Sequence, residues 1–235
     1  MKSSIQAPAH RAPLSRARVL QAAMGYADTL GIDALSMRSL AAELGVVPMA
    51  LYKHVTGKDD LLDGMIDVVV GTIIRAQATG RWKQDVRERI LAARKSLLQH
   101  TWSRRVLESR PAMTPAMLAH LDSLTGLFVD GGLSVDLTHH VMHALGNRMW
   151  GFSQELFAAT PSSDAASFNA QRDALPTQHP HLAQIAMAAA HPRPDGTGRG
   201  CDDQYEFEFA LDLVLDGTEI LHTQRWRPAD RSTGA

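Results

Sequence analysis

Between Val19 and Leu221 the apolar residues recur at intervals of three and four, and no stretch alternates with period two. That periodicity predicts an all-α chain. Ser15 is placed to cap a helix carrying Val19, Ala23, Tyr26, Ala27 and Leu30, with Gly31 closing it as a C′ residue. Ser36 caps a short second helix with Met37, Leu40, Ala41 and Leu44, and Gly45-Val46 makes a tight turn. Pro48 starts a third helix, through Val55, at a first-turn position where its missing N–H costs nothing. Thr56-Gly57 breaks it, and Asp59 or Asp60 opens a longer fourth helix bearing Leu62, Met65, Ile66, Val69 and Ile73. Further helical patterns cover 83–101 (Val86, Ile90, Leu97, Leu98), 114–130, 134–158, 179–190 and 203–224. The Pro- and Gly-rich stretch 191–202 reads as a loop.

Charge and composition exclude several classes. The 235 residues carry 24 Lys+Arg against 25 Asp+Glu, a net charge of −1, so the chain as a whole is not basic. The charge is uneven: residues 1–60 sum to +2 and residues 201–235 to −5. The first 19 residues hold Lys2, Arg11, Arg16 and Arg18 and no acid, either a weak pointer to a polyanion or a solvated tail. Cys201 is the lone cysteine, which excludes an internal disulfide framework or a thiolate zinc site. No run approaches the roughly 20 apolar residues of a membrane span, and no signal-peptide core is visible, so the expected location is cytoplasmic. There is no nucleophile elbow, phosphate loop or metal-ligand helix motif, so no enzyme and no cofactor are expected. His139 and His143 share a helix face beside His140, a spacing that suits a transition metal, but no third ligand lies at hand. The expectation is no metal, with these histidines in a core, a pocket or a dimer interface.

The segment Leu35–Lys58 is the informative one. Two short helices meet at a turn centred on Gly45, with the small Ala41 four residues earlier and Leu40, Leu44, Leu51 and Val55 placed for a shared core. This is the logic of a helix-turn-helix, whose second helix enters the major groove with its N-terminal residues leading. Pro48, Met49, Ala50, Tyr52, Lys53 and His54 then face outward. An ordinary helical hairpin would show the same spacing.

The run LSMRSLAAELGVVPMALYKHVTGKDDLLDGM, residues 35–65, resembles the DNA-binding module of the tetracycline-repressor (TetR) family, including Leu51-Tyr52-Lys53-His54-Val55 and Lys58. Looser marks of the tetracycline-repressor subgroup follow: Trp82 with Asp85, Leu97-Leu98 with His100, Arg110-Pro111, Gly132-Leu133-Ser134, Gly151, and Tyr205–Phe209 leading into LDLVLDG at 211–217. The resemblance implies a flexible basic arm (1–13), a three-helix DNA-binding head (14–57) and a helical-bundle regulatory body (58–235) that binds an effector and dimerises. The homodimer would bind a palindromic double-stranded operator and be released by a small hydrophobic or anionic effector. A DNA-binding regulator whose body serves only dimerisation or a protein partner is the alternative.

Residue roles carry over by position. Arg38, Pro48, Met49 and Tyr52 match base-side positions, and Met37 belongs to the DNA-binding set beside them; the Arg38 fork suits guanine O6 and N7, and the apolar contacts of Pro48, Met49 and Tyr52 suit thymine methyls. Ala50, Lys53, His54 and Lys58 match phosphate-side positions. The effector set implied is Arg89, Ala93, Leu107, Arg110, Leu121, Leu124, Met142 and Leu145, with Trp102, Met117 and His143 nearby in sequence. The tetracycline repressor holds a magnesium–drug chelate through a histidine where this chain has Leu107, with Glu155 matching an acid near that metal, so a tetracycline chelate is not the effector expected here.

Overall fold

The computed structural model of the chain describes residues 13–73, 78–150, 177–188, 191–192, 199–200 and 202–228. Lys2, Arg11, Gly151, Glu155, Cys201 and the expected helical stretch 151–158 lie outside them. By internal contacts the chain divides into two units, Met1–Gly132 and Leu133–Ala235.

In the first unit the helices begin where the caps predict. The Ser15 side chain accepts from the Arg18 amide and opens α1 (Arg16–Leu30), whose Val19, Leu20, Ala23 and Ala27 are buried. A single 3-10 turn (Ile32–Ala34) leads to Ser36, which forms a reciprocal capping box with Ser39 at the start of α2 (Met37–Leu44). Gly45 sits at φ 66°, ψ 38°, the left-handed region, and its amide closes on the Ala41 and Ala42 carbonyls. A side chain there would be strained, which is why the bend needs glycine. α3 (Pro48–Leu51) follows with proline in its first turn. It is shorter than the expected helix to Val55: residues 52–54 form turns, with the His54 and Val55 amides both reaching the Leu51 carbonyl.

α4 (Lys58–Gly71) takes Gly57 as its cap residue, not Asp59 or Asp60. Those acids fall in its first turn, where the helix dipole favours them. α1 packs on α2 and α4, and α2 on α3, around Leu35, Leu40, Leu51, Val55, Leu61 and Met65, all buried. Gly64 lets α1 lie close: a β-carbon on it would meet the Leu20 side chain at 2.8 Å and the Arg16 guanidinium at 3.0 Å.

α5 (Trp82–Leu98), α6 (Ser103–Ser109) and α7 (Pro115–Asp130) complete the first unit. α6 has no counterpart in the sequence reading. Asp85 fastens the approach to α5 by accepting the Thr79 amide and hydroxyl at 2.9 and 2.8 Å, and Thr114 caps α7. α4 packs against α5, α6 and α7, and α5 against α7. Leu30 and Leu98, read as parts of apolar faces, are exposed.

In the second unit α8 (Val135–Trp150) packs on α10 (Asp203–Thr223), which Asp202 caps, burying Leu137, Val141, Leu145, Phe207, Leu211 and Leu215. α9 (Pro180–Ala188) lies between them in the chain. Inside the stretch read as a loop, His191–Pro192 pairs antiparallel with Arg199–Gly200, the only strand pairing among the described residues. No helix of the described residues is long and apolar enough to cross a membrane.

Candidate nucleic-acid interface

The geometry of the α2–α3 pair separates core from surface residue by residue. Leu51 and Val55 point inward and are fully buried, as are Leu40 and Ala41 on α2. Pro48, Met49, Tyr52, Lys53 and Lys58 are exposed, Ala50 and His54 half-buried. Arg38 is exposed in the first turn of α2, beside the half-buried Met37. The expected DNA-side residues thus lie on α2, on α3 and the turn that follows it, and, for Lys58, at the start of α4, none of them fully buried. Met49 is 70% exposed and Val47 68%; leaving such apolar groups in water is unfavourable unless a partner covers them. Val47 was not in the sequence-derived set. Its position, immediately after the turn and before the helix-starting proline, was the available signal.

Two further groups, also outside that set, tie together the helices that carry this surface. Arg16 opens α1 and reaches across to the first turn of α4, where its guanidinium pairs with both oxygens of Asp60 at 2.6 and 3.1 Å. It also donates to the carbonyl of His54 at 2.9 Å. Asp60 accepts the Thr56 amide at 2.7 Å. The Arg16 hydrogen bond, then the Thr56 amide, hold the Asp60 carboxyl below its ordinary pKa. A lowered folded pKa means the pair stabilises the fold above the unfolded carboxyl's pKa, and that contribution goes only as pH falls through the lowered value. Arg16, counted from sequence among the cations of a basic arm, is therefore engaged with an acid.

A second set of polar contacts links α1, the 3-10 turn and α4 to residues 100–110. Asp28 of α1 accepts from Trp102 Nε1 at 2.6 Å and lies 2.9 Å from His100 Nδ1. Arg105 pairs with Asp33. Arg110 donates to Asp59 at 2.7 Å and its Nε lies 2.7 Å from Asp63. The hydrogen bond to Asp59, with Asp63 adding, raises the pKa of Arg110, so the guanidinium stays charged. Trp102 and Arg110, expected against an effector, are thus engaged with carboxylates of α1 and α4.

The remaining expected effector positions divide by unit. In the first, Arg89, Ala93, Met117 and Leu124 are buried, and Leu107 and Leu121 half-buried. Arg89 is 5% exposed and donates to Ser123 at 2.8 Å, joining α5 to α7. His120 is buried on the same helix as Ser123. In the second unit Leu145 is buried, Met142 half-buried and His143 exposed. His143 packs edge-on against His139, with ring centroids 4.6 Å apart, and His140 packs against Trp226 at 5.5 Å. Among the described residues no group of three or more His, Cys, Asp or Glu is placed to hold a metal.

Comparison with known proteins agrees with this geometry. The family described as "Bacterial regulatory proteins, tetR family" matches residues 19–65, and "Tetracyclin repressor-like, C-terminal domain" matches residues 76–221. The chain is 29% identical to the HTH-type transcriptional repressor DrrR1 of Streptomyces coeruleorubidus, over 88% of this chain and 78% of that one. The crystal structure of apo ActR from Streptomyces coelicolor superposes with a TM-score of 0.69 at 28% identity, covering 91% of this chain and 99% of that one. ActR in complex with actinorhodin gives 0.68 at 27%, covering 89% and 98%. The chain belongs to the tetracycline-repressor family of DNA-binding transcriptional regulators, which are not enzymes.

Proposed function

We propose that the protein is a homodimeric repressor that binds a palindromic operator through the α2–α3 surface and is released by a small organic effector. The observation that carries this is the split between Leu51 and Val55, fully buried, and Val47, Pro48, Met49, Tyr52 and Lys53, exposed around them. In this reading Arg38 takes guanine, and Met37, Pro48, Met49 and Tyr52 supply apolar base contacts, while Ala50, Lys53, His54 and Lys58 face phosphates. Dimerisation is supported by Tyr205, Phe209, Leu213 and Ile220, an exposed apolar row along α10. A two-fold pair would set recognition helices about 34–36 Å apart, one helical turn of DNA. The effector reading is supported by the relative whose structure holds actinorhodin and by the packing of α5 on α7, in which Ala93, Met117, Leu124 and Arg89 are all buried. An apolar molecule carrying an anionic group suits that combination.

The test is binding to the DNA upstream of the protein's own gene, followed against salt and against a panel of aromatic and anionic compounds. Protection of a palindrome, a steep fall with salt and release by one compound are expected. Specific binding that no compound disturbs would leave the body to dimerisation or a protein partner. Tyr52→Ala and Lys58→Ala should weaken binding to every operator sequence, whereas Arg38→Ala should relax the choice of base. Equal loss of selectivity in all three would overturn these roles.

A further inference from the structure

α3 is only four residues long. A helix that short has no stability of its own, so the angle at which it presents Met49 and Tyr52 must be imposed from outside. Its N-terminal side is set by the Gly45 turn. Its exit is held by one guanidinium: Arg16 Nη1 donates to the His54 carbonyl at 2.9 Å, while Nη1 and Nη2 grip the two Asp60 oxygens. Asp60 Oδ2 in turn accepts the Thr56 amide at 2.7 Å. Three elements meet at this point: the first residue of α1, the turn that leaves α3, and the first turn of α4. A planar fork can bridge an acid and a carbonyl at once, which a lysine ammonium on a flexible stem does far less specifically.

We infer that Arg16 and Asp60 are a positioning pair for operator recognition, fixing the exit of the recognition helix without contacting DNA. The inference rests on the proposed operator reading. Arg16 spends its charge on Asp60, so it differs in kind from Lys53 and Lys58, which are exposed to solvent.

The test uses the full chain with Asp60→Asn, which is nearly isosteric, and Arg16→Lys, which keeps the charge. In DNA-free protein, Asp60→Asn should speed amide hydrogen exchange at Thr56 and through the 52–57 turn, with exchange in α5 and α7 unchanged. Both variants should lose about tenfold in operator affinity, the scale of a charge-assisted hydrogen bond, with non-specific DNA affinity changed less than twofold. Unchanged exchange at Thr56 in Asp60→Asn would overturn the pair. So would an Arg16→Lys variant that weakens operator and non-specific DNA equally while Asp60→Asn binds normally, which would mark Arg16 as a phosphate contact. If the wild-type chain shows no sequence-specific binding, the operator reading falls and the pair's role in recognition falls with it, while the exchange measurement still decides whether the pair holds the α3 exit.

Discussion

The DNA-binding helices are held in two different ways. Among themselves they are joined mainly by burial, with the Arg16–Asp60 pair clasping the α3 exit: Leu35, Leu40, Leu51, Val55, Leu61 and Met65 form an apolar core with essentially no exposure. To residues 100–110, where Trp102 and Val106 are also buried, they are joined in addition by charge and hydrogen bonds, through Asp28, Asp33, Asp59 and Asp63. The contrast teaches a division of labour. Apolar packing is non-directional and insensitive to salt, so it fixes the shape of the unit that reads DNA. Ion pairs near the surface are directional and screened, so they fix how that unit is attached while leaving the attachment adjustable.

Breaking the apolar side should cost most. Leu51→Ala removes a fully buried side chain under the recognition surface and should cost about 2–5 kcal/mol, read from denaturant unfolding; the loss should persist in high salt. Next comes Asp28→Ala, which strips the acceptor from Trp102 Nε1, an indole only 4% exposed. An orphaned buried donor costs about 1–3 kcal/mol, and Trp102 fluorescence should shift with it. A change below about 0.5 kcal/mol, the range of an ordinary surface substitution, would show that Asp28 does not matter to the joint.

The ion pairs themselves should rank by burial. The Arg110 side chain is 13% exposed and bridges two acids, so Arg110→Ala should cost about 1 kcal/mol at low salt and less as salt rises. Arg105 and Asp33 are 67% and 72% exposed, and Arg105→Ala should fall within about 0.5 kcal/mol of wild type. If Arg105→Ala proved the costlier, the assignment of the joint's strength to its buried contacts would be wrong.

What could be read from the sequence follows the same division. Ser15, Ser36, Gly45 and Pro48 act within a few residues of themselves, so their caps and turns were visible in the chain. Leu51 and Val55 faced inward as their spacing required. α6 was not visible, because seven residues carry too little periodicity to stand out. The length of α3 was misjudged because Tyr52–Val55 continue the apolar spacing while the backbone leaves the helix. Arg16 with Asp60, Asp28 with Trp102 and Arg110 with Asp59 are separated by 44, 74 and 51 positions. No local pattern announces such partners, so none of these three pairings was read from the sequence.

The joint also bears on how heads could be exchanged among relatives. In these contacts the carboxylate comes from α1, the 3-10 turn or α4, and its partner from residues 100–110. A chimera cut just after α3 would take Asp28 and Asp33 from one parent and His100, Trp102 and Arg105 from the other, while Asp59 and Asp63 stay with Arg110. Unless both happened to match, the Trp102 indole would sit buried with no acceptor. The portable segment is therefore the longer one, running from α1 past Arg110, and swaps that respect it should keep their tertiary fit where shorter grafts lose it.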